Sequence, residues 1–537
     1  MDRDEGAFDV VILGTGLTES ITAAALSKAG FKVAHIDENP YYGGDEASLT
    51  QDEFIQWQDK LSKSSVSELY SSFSRSGGIL PQCKQYSISL SPTMIPSTGP
   101  LISSIIQSGV SRYGGFRLIQ QVAVYHPSGT VKTVPGSKED IFKDKSISLV
   151  DKRRLMRFLQ FAMGEFEGSK ELEEMKDKPY IGFLKSKFSL NEDMAAAIAY
   201  ALSYCQSSTD PTLPALQRIH RYLLSAGRYG PSPFLLGHYG SSGEIAQGFC
   251  RTSAVASGVY ILGKTLSSIK RAEETHSEGS QSPETPKYII HFDEWPEAIT
   301  CHLMISSATR IPKELLPEEK LLELQQDTDY TTVARCVAII NQALSFLPAT
   351  TEVRQNEAIE GQEADTDGSA SSSNGIDAGV LVFPPSSLST GSAPSAVDVL
   401  IVGEGTMSTP QGKWIVYIST PNPNESSPSD LLKPYLEATL TLSRDTEPVS
   451  PLFTSFYNQR CPVSSPPPSR LADLSNYILV PQLPVLPLTE PPDVAAVHAE
   501  AVFKEAIRIL RPAEDGTDET PFWPPLPTTE DDEDFGP

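Results

Sequence analysis

The sequence predicts an α/β (α+β) fold in which a large domain with mixed β-sheets carries an inserted, all-helical smaller domain. Three observations support this prediction. Residues 8–44 alternate short apolar runs with a glycine turn and a helical pattern. Residues 137–226 are dominated by helical patterns, and strand-like segments return after residue 230. The change from strand to helix periodicity and back predicts the insertion.

The first unit of the chain is a strand–turn–helix–strand. Residues 8–13 (FDVVIL) form an apolar, β-branched run typical of a buried strand. Residues 14–16 form a glycine turn, and residues 19–29 have helical spacing before a glycine stop. Residues 32–36 form a second short strand that ends at Asp37. This order is typical of an FAD/NAD(P)-binding, Rossmann-like domain.

The glycine turn carries a damaged dinucleotide fingerprint. A GxGxxG motif needs its third glycine for close helix–strand packing, but here Gly14 and Gly16 are followed by Glu19. A glutamate adds bulk and negative charge at the helix N-terminus, where a phosphate would bind. Asp37, 23 residues after Gly14, lies near the ribose-binding position. A bound flavin or nicotinamide stays an alternative, but the broken motif favours a scaffold without a cofactor.

The helical smaller domain is predicted at residues 137–226, between the two parts of the large domain at residues 1–136 and 227–510. Inside it, amphipathic or alanine-rich patterns predict helices at residues 151–163, 191–204 and 214–226. In the second part of the large domain, apolar runs predict strands at residues 288–292, 333–340, 380–383, 397–402 and 414–418, and a last helix at residues 493–509.

Three polar, acidic segments are predicted to lie outside the packed core. Residues 271–287 and 352–377 are rich in Glu, Asp, Ser and Gly, so we expect disordered surface insertions. The acidic tail at residues 511–537 is expected to be disordered as well.

The composition excludes several classes of function. The chain has 537 residues with 43 Lys and Arg against 68 Asp and Glu, a formal net charge of −25. Such an acidic protein is poorly suited to coating nucleic acid. The six cysteines form no CxxC pair, and the eight histidines form no HxxxH or HExxH motif, so neither a metal site nor a catalytic constellation is predicted. With no signal-peptide pattern and no membrane-length apolar run, we expect a cytoplasmic protein.

Two long blocks resemble a known family. GTGLTESITAAALSKAGFKVAHIDENPYYGG (residues 14–44) and RYGPSPFLLGHYGSSGEIAQGFCRTSAVASGVYIL (residues 228–262) resemble the two conserved blocks of the Rab GDP-dissociation inhibitor and Rab escort protein superfamily. The resemblance implies a GDI-like architecture, with a large domain similar to flavin monooxygenases but without cofactor or catalysis. It also implies binding of GDP-loaded Rab GTPases and shielding of their geranylgeranyl tails.

The resemblance also implies a Rab-binding surface. Motif matching assigns it Tyr42 of NPYYGG, Glu244 and Arg251 of the second block, and Val259 and Ile261, which flank that block's tyrosine. Tyrosine is a rigid amphipathic anchor and arginine a planar donor, so both suit an interface. For Glu244 and Arg251, seven residues apart, an internal ion pair or a solvated helix face is the alternative.

Within the superfamily, the chain is more similar to the escort branch. In that branch a Phe, with an Arg eleven residues later, contacts the Rab geranylgeranyl transferase heterodimer, and Phe142 and Arg153 have this spacing. Helix packing is the alternative role for Phe142. We therefore expect an accessory component that presents Rab for prenylation and associates transiently with membranes. A dissociation inhibitor that recycles prenylated Rab is the first alternative, and a flavin-dependent oxidoreductase is another.

A lipid-shielding protein needs an apolar groove, since each buried methylene contributes roughly 0.8 kcal/mol. The helical domain offers apolar side chains that could separate to hold a geranylgeranyl chain. The candidates are Leu155, Phe158, Leu159, Ala162, Ile198 and Leu202. The alternative for each of them is an ordinary place in a helical-bundle core.

Overall fold

The computed structural model describes residues 6–63, 69–135, 141, 147–272, 287–295, 297–326, 329–346, 375–389, 393–443, 449–512 and 520–526. Several sequence predictions therefore lie outside the described residues. They are Phe142, residues 273–286 and 352–374 of the two acidic insertions, and residues 513–519 and 527–537 of the tail. At the edges of the insertions the prediction of disorder is wrong, because Arg271 ends a strand and Asp377 forms an ion pair of 3.3 Å with Arg117.

The helices in the described part of the chain are numbered in chain order. They are α1 Leu17–Lys28, α2 Gln51–Lys63, α3 Pro100–Ser108, α4 Leu149–Met163, α5 Lys170–Glu173, α6 Tyr180–Phe188, α7 Glu192–Ala196, α8 Thr212–Ser225, α9 Ser242–Val255, α10 Glu318–Gln326, α11 Pro428–Leu440 and α12 Pro491–Leu510. A π-helical turn at Ala197–Leu202 follows α7.

The strands are numbered in the same way. They are β1 Ala7–Leu13, β2 Val33–Asp37, β3 Ser48–Leu49, β4 Tyr70–Ser76, β5 Ile88–Ser89, β6 Ile95–Pro96, β7 Phe116–Leu118, β8 Gln121–Tyr125, β9 Val131–Thr133, β10 Phe234–Gly237, β11 Val259–Leu262, β12 Leu266–Arg271, β13 Tyr288–Phe292, β14 Ile299–Ser307, β15 Tyr330–Ile340, β16 Ala378–Phe383, β17 Val397–Val402, β18 Trp414–Pro421, β19 Phe453–Pro462, β20 Ser469–Arg470 and β21 Tyr477–Val480.

The first large sheet is built on β1, which pairs in parallel with both β2 and β14. Its order is β11–β2–β1–β14–β13–β12, and β21 pairs in parallel with β14. The last four residues of β1 are buried, because α1 covers one face and a second apolar cluster covers the other. The predicted strand–turn–helix–strand unit is thereby confirmed, as β1, α1 and β2.

The second large sheet is mainly antiparallel, in the order β4–β19–β15–β18–β17–β16–β8–β9. Its central strands are mostly apolar, and every residue of β16 and β17 is buried. Such continuous runs follow from cover on both faces. Helix α11 packs on one face, and helices α4–α8 pack on the other. The five strands predicted after residue 287 coincide with β13 or lie within β15 to β18.

The helical segment contains α4–α8 and shares one apolar cluster with the second sheet. Phe158 and Phe183 belong to the same cluster as Val380 and Leu400. The domain boundaries therefore stay predictions, since the core runs through them. The helix predicted at residues 191–204 differs from the structure, which has the short α7 followed by the π-helical turn.

Part of the tail belongs to the fold. Trp523 is buried, and its ring stacks on Phe249 with ring centres 5.9 Å apart. Phe522 packs edge-on against Phe503 at 5.3 Å. The prediction that the whole of residues 511–537 is disordered is therefore wrong for residues 520–526. Packing of these two aromatic rings against the core outweighs the acidic, Pro-rich composition around them.

Candidate functional site

The glycine turn between β1 and α1 is occupied by protein side chains. Gly14 has φ +98°, and a Cβ there would lie 2.9 Å from Nε of Arg310. The Arg310 guanidinium lies 3.3 Å from the Asp37 carboxylate, which also accepts hydrogen bonds of 2.8 Å from the N–H and the hydroxyl of Thr15. Burial alone would raise the pKa of Asp37, but Arg310 and these hydrogen bonds hold it below its usual range.

Two carboxylates fill the N-terminus of α1. An oxygen of Glu46 accepts a hydrogen bond of 3.1 Å from the Leu17 N–H. An oxygen of Glu19 lies 2.6 Å from the point that a Cβ on Gly16 would occupy. Glu19 is buried and Glu46 is half-buried, and removal of their carboxyl groups from water raises the pKa of Glu19 to about 7 and that of Glu46 to about 8.

A dinucleotide does not fit these residues. Its pyrophosphate would need the N–H groups at the start of α1, and the N–H of Leu17 already donates to Glu46. Its ribose would need Asp37, which is bound to Thr15 and Arg310. The cavity left beside Glu19, Glu46 and Arg310 has a volume of only about 60 Å³. The described residues also contain no group of three or more His, Cys, Asp or Glu arranged to hold a metal ion.

Helix α9 presents Glu244 and Arg251 towards the surface. The Arg251 guanidinium lies over the Tyr113 ring, 4.3 Å from its centre, and Tyr113 is 48% exposed. Glu244 is half-buried, and burial raises its pKa. The two residues form no ion pair with each other, although both belong to the described part. The helix therefore offers a stacked cation and a separate carboxyl group.

The other predicted surface residues divide into exposed and buried. Tyr42 is partly exposed and packs edge-on against Tyr260, with ring centres 5.7 Å apart. Val259 is 42% exposed at the beginning of β11. Ile261 is only 5% exposed and belongs to the core of the first sheet with Ile36. The prediction that Ile261 contacts a partner is wrong for this conformation, because the apolar cluster covers that part of the strand.

Three surface residues beside this helix were missed by the sequence analysis. They are Tyr113, Tyr239 and Met407, each about half exposed. Tyr239 and Met407 have backbone φ values of 53° and 54°, in a left-handed region that residues other than glycine rarely adopt. No sequence pattern indicates such a conformation in a tyrosine or a methionine. Tyr113 is followed along the chain by two glycines, and its contact with Arg251 joins residues 138 positions apart.

A large cavity lies between the helical segment and the second sheet. Its volume is about 1770 Å³, and apolar side chains dominate its wall. Of the six predicted lipid-binding residues, Leu155, Leu159, Ile198 and Leu202 line it. Phe158 and Ala162 do not line it and are fully buried, with Phe158 packed edge-on against Phe188. For those two residues the prediction is wrong, because they face the helical core.

The π-helical turn Ala197–Leu202 forms part of the cavity wall. Five of its six residues line the cavity, and alanines make up half of the turn. π-helical turns are rare and often mark functional sites. Small side chains on this wall leave room inside the cavity.

The predicted transferase-docking pair is only partly described. Arg153 is exposed on α4, near the exposed Leu149 and Val150 at the beginning of that helix. Phe142 lies outside the described residues. The docking assignment therefore stays a prediction.

Comparison with known proteins connects these features to a family. Residues 1–290 match the family model described as GDP dissociation inhibitor. The chain is 31% identical over 420 residues to Rab proteins geranylgeranyltransferase component A of Saccharomyces cerevisiae, which covers 77% of this chain and 61% of that protein. It is 32% identical over 270 residues to Rab GDP dissociation inhibitor beta of Canis lupus familiaris, which covers 49% of this chain and 57% of that protein. The chain thus spans less than two thirds of these relatives.

Solved structures show the same fold. The crystal structure of Rab GDI from Plasmodium falciparum matches with a TM-score of 0.61 and 19% identity, over 93% of this chain and 97% of that one. An oxidoreductase from Methanosarcina mazei matches with a TM-score of 0.52 and 14% identity, over 92% of this chain and 100% of that one. The predicted α/β fold with GDI-like architecture is confirmed. Among the described residues, no helix is long and apolar enough to cross a membrane.

Proposed function

The chain belongs to the GDP dissociation inhibitor family, and from this premise we propose that it is a Rab escort protein. In this role it binds newly made, GDP-bound Rab GTPase, presents it to Rab geranylgeranyl transferase and delivers the prenylated product to membranes. The observation that carries the proposal is the 31% identity, over 77% of this chain, to a protein named as component A of that transferase. It works in the cytosol and associates only transiently with membranes.

The Rab-binding surface is proposed to consist of the exposed members of the predicted set. Arg251, stacked on Tyr113, offers a planar donor that is already oriented, so little side-chain entropy is lost on binding. Glu244 can accept hydrogen bonds from Rab, and Tyr42 and Val259 add apolar area. Rab switch loops rearrange when the γ-phosphate is lost, so such a surface can prefer the GDP form.

The cavity beneath the helical segment is proposed to receive the geranylgeranyl group. About twenty carbons at roughly 0.8 kcal/mol per buried methylene give a strong preference for an apolar site over water. Leu155, Leu159, Ile198 and Leu202 line a cavity of about 1770 Å³. A cavity of this size can hold the geranylgeranyl group without displacing the buried core residues.

The protein is proposed to be non-catalytic and to bind no flavin or nicotinamide. The support for this proposal is that Glu46 occupies the N-terminus of α1 and that Asp37 is bound to Arg310 and Thr15. The chemistry of prenyl transfer would then belong to the transferase. Arg153, together with Phe142, is proposed to dock that enzyme.

Rab binding tests the first step of this proposal. The purified chain is titrated with Rab loaded with GDP or with a non-hydrolysable GTP analogue, and binding is followed by calorimetry. We expect at least tenfold tighter binding of the GDP form. Equal affinity for the two forms, or no binding at all, would refute the proposal.

A Rab GDP-dissociation inhibitor is the second candidate function. The observation that favours it is the 32% identity to the dog protein of that name, over 49% of this chain. Extraction separates the two functions. A protein that removes prenylated Rab from vesicles but does not support prenylation of unmodified Rab acts as an inhibitor.

A further inference from the structure

A loop after β17 lies beside the proposed Rab-binding surface and has no role in the function described so far. It begins with Gly403 and contains a single turn of 3-10 helix at Glu404–Thr406, followed by Met407. Met407 is 50% exposed with φ 54°, although most large apolar residues of this chain are buried on ordinary backbone. A strained residue with an exposed apolar side chain points to a function in binding.

The neighbouring segment repeats the same combination. Tyr239 is 48% exposed with φ 53°. Its N–H donates a hydrogen bond of 3.1 Å to the carbonyl of Thr406, and the Gly240 N–H donates one of 3.1 Å to the Ser408 hydroxyl. Tyr239 and Met407, both with positive φ and exposed side chains, are therefore held close together by these two hydrogen bonds between their loops.

The loop is held rigidly. The Gly403 N–H donates to the Asp377 carbonyl at 2.7 Å, and Asp377 forms an ion pair of 3.3 Å with Arg117 on β7. A Cβ on Gly405 would lie 2.4 Å from a carboxylate oxygen of Asp377, so this position requires glycine. The Ser87 N–H donates to the Ser408 carbonyl at 2.9 Å. The strain at Met407 is therefore imposed by surrounding contacts from three other segments.

The two residues continue the surface that carries Arg251. The His238 N–H donates a hydrogen bond of 2.9 Å to the carbonyl of Gly115, two residues after Tyr113. The segment of Tyr113, whose ring lies under the Arg251 guanidinium, is therefore hydrogen-bonded to the segment of Tyr239. The segment of Tyr239 is in turn hydrogen-bonded to the loop that carries Met407.

We infer that Met407 and Tyr239 form a second, apolar half of the GTPase-binding surface, which packs against the switch region of the GDP-bound partner. This inference rests on the proposed function, since it extends the same surface. Tyrosine is frequent at binding hot spots, and methionine adapts its shape to a partner. The rigid loop presents both side chains at low cost in conformational entropy.

The conformation of Met407 allows a test that separates binding from stability. Glycine adopts φ 54° without strain, so Met407→Gly removes the side chain and relieves the backbone. We expect Met407→Gly and Tyr239→Gly each to weaken binding of Rab-GDP at least fivefold, with a Tm equal to or above that of the unaltered chain. Met407→Asn, a residue that tolerates this backbone region, is expected to weaken binding to the same extent.

The matched control is Ser189→Gly, at an exposed position with φ 56° after α6. It makes the same kind of backbone change at a position outside the proposed Rab-binding surface, and we expect unchanged Rab affinity. If Met407→Gly and Tyr239→Gly bind Rab-GDP normally while Arg251→Ala binds it weakly, the inference is overturned and the proposed function stands. If the unaltered chain binds no Rab, the proposed function fails and the inference fails with it.

Discussion

Glu46 accepts a hydrogen bond from the backbone N–H of Leu17, with 3.1 Å between the two atoms. This contact places a carboxylate of the protein at the helix N-terminus where a dinucleotide-binding fold holds a phosphate. Because the pKa of Glu46 is raised to about 8, this group is mostly protonated at neutral pH, and its oxygen satisfies the helix N–H in place of a ligand. The strand–turn–helix unit is therefore present with a protein side chain at the N-terminus of its helix.

Glu19 and Glu46 make stability depend on pH. In the folded chain the pKa values of Glu19 and Glu46 are raised from 4.5 to about 7 and about 8. The folded state therefore binds more protons than the unfolded state between about pH 4.5 and pH 8, so the free energy of unfolding falls as the pH rises through this window.

Replacement of Glu46 tests this dependence. Glu46→Gln keeps an oxygen for the Leu17 N–H and removes the charge. We expect it to stabilise the protein at pH 8 relative to the unaltered chain, by on the order of 2 kcal/mol, and to have little effect at pH 5. Urea unfolding at both pH values measures the effect. Glu323→Gln, on the exposed face of α10, is the control, and an equal effect of both variants would contradict the prediction.

The stacked arginine is expected to be central to Rab binding. Arg251→Ala removes a planar donor that Tyr113 holds in position, so we expect at least tenfold weaker binding of Rab-GDP with an unchanged Tm. Arg251→Lys keeps the charge but loses the stacked, planar geometry, and an intermediate affinity is expected. Arg508→Ala, an exposed arginine on α12, is the control. Titration calorimetry measures all three, and normal binding by Arg251→Ala would contradict the assignment.

Narrowing the cavity is expected to affect only the lipid-modified partner. Ala197 lies in the π-helical turn and lines the cavity, so Ala197→Phe places a ring inside it. We expect weaker binding of geranylgeranylated Rab, by about tenfold, and unchanged binding of unmodified Rab. The unmodified Rab serves as the internal control. Equal loss for both forms would indicate a general defect, and no loss for either would argue against the cavity as the lipid site.

The sequence predicted the fold well where its signals are local. The apolar run of β1, the glycine turn and α1 lie within residues 7–28, and each has its own pattern. By contrast, no local sequence pattern indicates that Arg310 and Asp37 meet at the glycine turn. Arg310 meets Asp37 across 273 positions, and only the pairing of β1 with both β2 and β14 brings them together.

Contact surfaces were harder to predict than elements. Ile261 and Val259 belong to one strand, and only the packed structure shows that the first is covered and the second is exposed. Tyr239 and Met407 owe their conformation to hydrogen bonds between distant loops. Trp523 belongs to an acidic, Pro-rich tail, and its burial depends on Phe249 on α9.

Reconstituted prenylation distinguishes an escort protein from a dissociation inhibitor in one experiment. The chain is mixed with Rab geranylgeranyl transferase, geranylgeranyl diphosphate and unmodified Rab, and lipid transfer to Rab is measured. Phe142→Ala and Arg153→Ala are compared with Arg154→Ala, an exposed neighbour on α4 that pairs with Asp151. We expect lipid transfer to require the chain and to fall at least tenfold in the first two variants, while their Rab binding persists. Rab binding without any transfer by the unaltered chain would contradict the escort function.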